Sequence, residues 1–219
     1  SAARALLAAL RAAADATADH FAAFAPATAA VLLPLLRFGA CGEATFPPAV
    51  FAACLDAAGA TVAAAWSEAQ FHGAREELAA IATRAIGDAA AASEIRASGH
   101  GFFARVALAS FEEFTPSLAG AVPAALEALR TSGDEGALLA DAGVGASGRS
   151  RAVRTSGQEE RVAAVDALGA YAVAVGAAFA GHLPAALPLV CAQQAHASPE
   201  VRAATARALE RFGRCLGDL

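Results

Sequence analysis

The chain contains no Lys, no Asn and no Met, and all 16 of its basic residues are Arg. These three amino acids share AT-rich codons, so their joint absence reads as the mark of a GC-rich coding sequence. Arg-only usage therefore carries no functional message. The missing Met predicts a fragment or a processed chain. Residues that favour strands are scarce, with one Trp, one Tyr and few Val and Ile among 219 residues. That argues against a β-rich fold. A net charge of −5 and a pI near 5.5 exclude the basic stripe that nucleic-acid binding requires. The four Cys (41, 54, 191, 215) form no C-x-x-C, and the spacing predicts small buried residues in a reducing compartment. Long uninterrupted apolar runs are missing too. The uncharged stretch between Asp166 and Glu200 is broken by Gly176, Gly181, Pro184 and Pro188 into pieces too short to span a bilayer. It predicts two buried helices joined by a turn, with no membrane insertion.

What is abundant is Ala, at 69 residues. Ala is the best helix former, so the chain is expected to be all-α. The high hydrophobic fraction is then mostly methyl groups.

Internal similarity appears at three places. Phe21-A-A-Phe24-A-Pro26, Phe111-E-E-Phe114-T-Pro116 and Phe179-A-G-His182-L-Pro184 share F-x-x-[F/H]-x-P, and each leads into an apolar run. Ala-rich stretches opening at Arg4, Arg96 and Arg161 precede them, and Arg202 opens another 41 residues after Arg161. A period near 40–47 residues is that of a HEAT or armadillo helix pair. In such a pair each helix has one apolar stripe, and only stacking of pairs buries it. Pro26, Pro116 and Pro184 are expected in the first turn of each second helix, where a missing N–H is harmless. The expected architecture is a HEAT-repeat α-solenoid of stacked antiparallel helix pairs, with units near 3–38, 46–92, 94–131 and 158–195 and a partial unit at 199–219. Ending inside a unit again predicts part of a longer solenoid.

The 65 positions from Arg96 to Arg161 exceed one period by 24, and the excess falls at 132–157. It holds Gly143-Val-Gly145-Ala-Ser-Gly148, a G-x-G-x-x-G string. A dinucleotide loop must follow a strand and open a helix. The preceding Gly136-Ala-Leu-Leu-Ala140 has no β-branched run, so 132–157 is expected to be a flexible inter-repeat loop and no cofactor is expected. The five His make no H-E-x-x-H or Cys/His ligand pair, and no G-x-S-x-G is present. Adjacent pairs such as Glu112-Glu113 and Glu159-Glu160 read as solvated helix starts. Trp66 reads as a core or inter-repeat anchor. No catalytic residues and no metal site are assigned; the expectation is a binding surface and not an enzyme.

The segment from Val153 to Val190 resembles a repeat of the karyopherin-beta (importin-beta) nuclear transport receptors, nearest to the beta-3-type importin branch. There a long inter-repeat loop ends in Thr-x-x-x-Glu-Glu-basic, which Thr155, Glu159, Glu160 and Arg161 match, and the following helix leads to a Phe and an x-Pro start, matched by Phe179 and Pro184. Ala14 to Arg37 looks like another such repeat. The resemblance implies a carrier shuttling between cytoplasm and nucleus. It implies that basic cargo (ribosomal proteins or histones) and Ran-GTP bind the concave face, and Phe-Gly nucleoporins the convex one. The helices opening at Arg161 and Arg202 would line the concave side. Glu160, Asp166, Glu200, Arg207, Glu210 and Arg214 lie off their apolar stripes and are the candidate cargo contacts. A HEAT scaffold subunit of another multiprotein complex is the alternative.

Overall fold

The computed structural model describes residues 2–40, 46–131 and 148–217, and the side chains of these except 18, 19, 148–156 and 216. Among the described residues there are helices and turns and no strands. The chain folds as an all-α helical-repeat solenoid. Ten α-helices are described: α1 (Ala2–Ala16), α2 (Ala18–Phe21), α3 (Ala25–Ala40), α4 (Pro48–Ala64), α5 (His72–Gly87), α6 (Ser93–Ser110), α7 (Leu118–Thr131), α8 (Gly148–Val175), α9 (Leu183–Ala192) and α10 (Pro199–Gly217). The GVGASG string lies outside the described residues except for Gly148, which opens α8. The expected loop at 132–157 is therefore corrected over its last ten positions. Residues 148–157 are helical because an Ala- and Arg-containing stretch with one internal Gly propagates readily from the stable helix that follows.

Two rows result. Row A is α1, α4, α6, α8 and α10, each packed on the next. Facing residues fix its sense. Gly59 meets Phe102, Arg96 meets Glu160, Asp166 meets Arg207, and Gly176 meets Cys215. Later residues face later residues, so the row A helices run parallel. Row B, α3, α5, α7 and α9, returns the chain between them and packs mainly on the following row A helix. Row A approaches closely where small residues allow it. A Cβ on Gly59 would sit 2.9 Å from the Phe102 Cα, and one on Gly169 would sit 3.1 Å from the Ala208 Cα.

Each unit turns through a short 3-10 segment that buries one Phe: Phe21 before Ala22–Phe24, Phe71 in Ala69–Phe71, Phe114 in Phe111–Ser117 and Phe179 in Gly176–His182. The equivalence differs from the one the sequence motif suggests. Phe111 and Gly176 open their 3-10 segments, and both have positive φ, 49° and 52°. Phe114 therefore matches Phe179, and Phe111 is a strained, solvent-facing residue. Pro116 is likewise corrected: it sits inside the 3-10 segment, before α7 begins at Leu118. Pro26 and Pro184 do fall in the first turns of α3 and α9. Pro34, Pro123 and Pro188 interrupt row B helices on their exposed sides, where water can take up the carbonyl each leaves unpaired.

Two of the four recurring arginines share a task, while Arg161 lies inside α8 and donates to Gln193. Arg96 donates to the carbonyls of Ala89 and Ala91, and Arg202 to those of His196 and Ala197, so each clamps the turn that precedes its own helix. Ser198 caps α10 by accepting the Val201 N–H at 3.4 Å. The uncharged stretch after Asp166 is divided by a turn, with α8 ending at Val175 and α9 following Gly176–His182. Most of α9 is exposed where a buried helix was expected, and Gly157–Ala195 taken together is long and apolar enough to cross a membrane by length and composition alone. Cys54 is buried and its thiol is pushed up to about 11 by burial. Cys215 is also buried, whereas Cys191 is exposed on α9, contrary to expectation, because row B shows one face to solvent. Trp66, just past α4, reaches the next unit by donating to Glu113 at 2.9 Å, with the Arg75 guanidinium 4.0 Å over its ring.

Candidate partner-binding groove

Parallel helices of one row leave furrows between them, and on row A the furrows join. A cleft of about 810 Å³ crosses α6, α8 and α10. It meets a second of about 350 Å³ through the shared Gly101, Glu159 and Ala163, and that one meets a third of about 370 Å³ at α1 and α4 through Arg4, Ala53 and Asp56. The floor is built from small residues, among them Gly101, Ala104, Ala163 and Ala170. Ala enrichment, which sets helix formation, thus also sets the depth of the groove.

Ion pairs tie the walls together. Arg11 lies 3.5 Å from Asp56, and Arg105 lies 3.4 Å from Asp15, two helices away along the row. Burial pushes the Asp56 carboxyl above its ordinary value, while Arg105 and Arg11 pull it back. Arg207 donates to Asp166 from Nε and Nη2, at 3.2 and 2.8 Å. That hydrogen-bonded carboxylate holds the Arg207 pKa above normal. Arg211 donates to the Asp166 backbone carbonyl at 3.4 Å.

The six candidate contacts separate into three kinds. Glu160 is corrected: it is 3% exposed and faces away from the groove into α6, accepting from Arg96 Nε and Nη2 at 2.7 and 2.8 Å. In an amphipathic reading Glu160 and Glu159 look alike. Only the position of α6 decides which one is covered. Asp166, Glu200 and Arg207 do line the groove, Asp166 and Arg207 as a mutual pair. Glu200 accepts the Ser198 hydroxyl at 2.5 Å, which holds its carboxyl below the usual range. Glu210 and Arg214 pair with each other at 2.5 Å on the exposed side of α10 and do not line the groove. Sequence reasoning missed Arg105, Glu94 and Glu159 as groove residues. Their signal was available only as one repeat offset between equivalent positions.

No group of three or more His, Cys, Asp or Glu side chains with metal-binding geometry occurs among the described residues. His100 is fully buried in α6, and burial, with Arg96 close by, lowers its pKa to about 4, so it is a neutral core residue.

The fold and the groove fit a helical-repeat scaffold. Residues 158–212, covering most of α8 through most of α10, match the HEAT-like repeat family. No curated protein matches the chain in a sequence search.

Proposed function

We propose that this chain belongs to an importin-beta-type nuclear transport receptor. In this reading the row A groove takes basic protein cargo, ribosomal proteins or histones, and Ran-GTP releases it. Phe-Gly nucleoporins would engage the row B side, and the protein would shuttle between cytoplasm and nucleus. The observation that carries the reading is the groove itself: a continuous furrow across successive units in which Arg11, Arg105, Arg207 and Arg211 are held by the protein's own carboxylates and carbonyls, while Glu94 and Glu159 stand open. The HEAT-like match at 158–212 overlaps the segment from which the resemblance comes. The test is capture of purified core histones and ribosomal proteins by the chain, followed by addition of Ran loaded with GTP or GDP to the full-length protein. Selective release by the GTP form supports the proposal. Failure of basic proteins to bind overturns it.

A second reading, a scaffold subunit of another multiprotein complex, is favoured by the buried Arg96–Glu160 pair and its neighbours, which lock successive units in one register. A constant partner in affinity purification, indifferent to Ran, would select it.

A further inference from the structure

The groove has an apolar floor and two unlike edges. On one edge Arg105, Arg207 and Arg211 are engaged by Asp15 and Asp166. On the other stand Glu94, Glu159 and Glu200, one from each of three successive parallel helices, α6, α8 and α10. The registers Arg96–Glu160 and Asp166–Arg207 set the three at a common height. Glu94 and Glu200 lie in the first turns of their helices, where the helix dipole favours a carboxylate. Glu159 has no such account. It lies in the interior of α8, is exposed, lines both clefts, and makes no hydrogen bond or ion pair with another described residue.

Packed helices stand roughly 8–10 Å apart, so the three carboxylates recur at about that interval across the groove. An extended β-conformation brings a side chain back to the same face about every 6.6 Å, which does not match. A polyproline II segment returns every third residue, about 9.3 Å, which does. Resting on the reading that the groove is the partner-binding face, we propose that its occupant is an extended polyproline II segment with basic residues at every third position. Its cations meet Glu94, Glu159 and Glu200 in turn. The small residues of the floor leave room for its backbone, and Arg4 at the α1 end sets where the acidic register stops.

The test uses the whole chain and fluorescein-labelled peptides of equal Arg and Pro content, measured by fluorescence anisotropy. One repeats Arg-Pro-Ala, and the others place Arg at every second or every fourth position. The three-residue spacing is expected to bind about tenfold more tightly than either alternative. Glu159→Gln is expected to weaken that peptide about fivefold or more and to remove the spacing preference, with an unchanged circular dichroism spectrum. Glu76→Gln, on the far side in α5, is the control and leaves binding as it was. Equal affinity for all spacings, or indifference to Glu159→Gln, overturns the register while leaving basic cargo binding intact. Failure of every basic peptide and of the basic proteins to bind overturns both.

Discussion

Phe179 stacks on Phe212 of the next unit, with ring centroids 5.6 Å apart and planes 26° apart. Phe114 stacks on Tyr171 in the same way, at 5.0 Å and 26°. Phe212 lies 41 residues after Tyr171, so one contact occurs twice, each time joining the turn of one unit to the row A helix of the next. Inter-unit cohesion in a solenoid depends on such nearest-neighbour contacts.

Truncating Phe212, which is fully buried, removes one of the two stacks and leaves a cavity. Phe212→Ala is expected to cost about 3–5 kcal/mol in urea unfolding. Hydrogen exchange should show the loss in α10 and in the turn that carries Phe179, the two segments the stack joins.

Phe111 holds φ at 49° and is 59% exposed as a residue, so its backbone is strained and it buries little. The matching position is Gly176, which adopts φ 52° without a Cβ. Phe111→Gly should therefore raise stability, by about 1 kcal/mol, seen as a higher Tm. A lower Tm would mean that the ring packs more than its exposure indicates.

Glu160 is the buried member of a pair with Arg96. Glu160→Ala leaves the guanidinium at the α6–α8 contact without that carboxylate and is expected to cost about 3 kcal/mol in chemical denaturation. Glu159→Ala, one residue away but in the groove, should change stability by under about 0.5 kcal/mol. The contrast between neighbours is the test.

His100 predicts a pH dependence. Its folded pKa is about 4 because burial and Arg96 oppose the charged form, against 6.5 for the ordinary imidazole. The unfolded chain binds the proton first, so stability is fully present above pH 6.5 and falls as pH drops from 6.5 towards 4. The loss amounts to about 3 kcal/mol across that window. His100→Leu should flatten the difference between pH 7 and pH 4.5. Asp56, whose carboxyl burial pushes upward, contributes the opposite slope at lower pH, so the comparison must be made between the variant and its parent.

The helical class and the 41-residue period were legible because they depend on local chemistry. Ala content sets helix formation, and the offset from Arg161 to Arg202 recurs as the Asp166–Arg207 pair. The motif register was not legible. F-x-x-[F/H]-x-P aligns Phe111 with Phe179, yet Phe114 is the buried equivalent, because what matters is which ring lies under the next unit's helix. The groove was half legible. Asp166, Glu200 and Arg207 line it, while Glu210 and Arg214 turn aside and Glu160 is covered.

The sequence by itself determined that the described residues form helices and turns without strands, and that units repeat, since propensity and periodicity act within a few residues of each position. The tertiary structure decided which carboxylate of Glu159-Glu160 is buried, which Phe of each turn joins the core, and that furrows between parallel helices merge into one groove. Those outcomes depend on the height of one helix against the next, which stacking fixes and no single segment encodes.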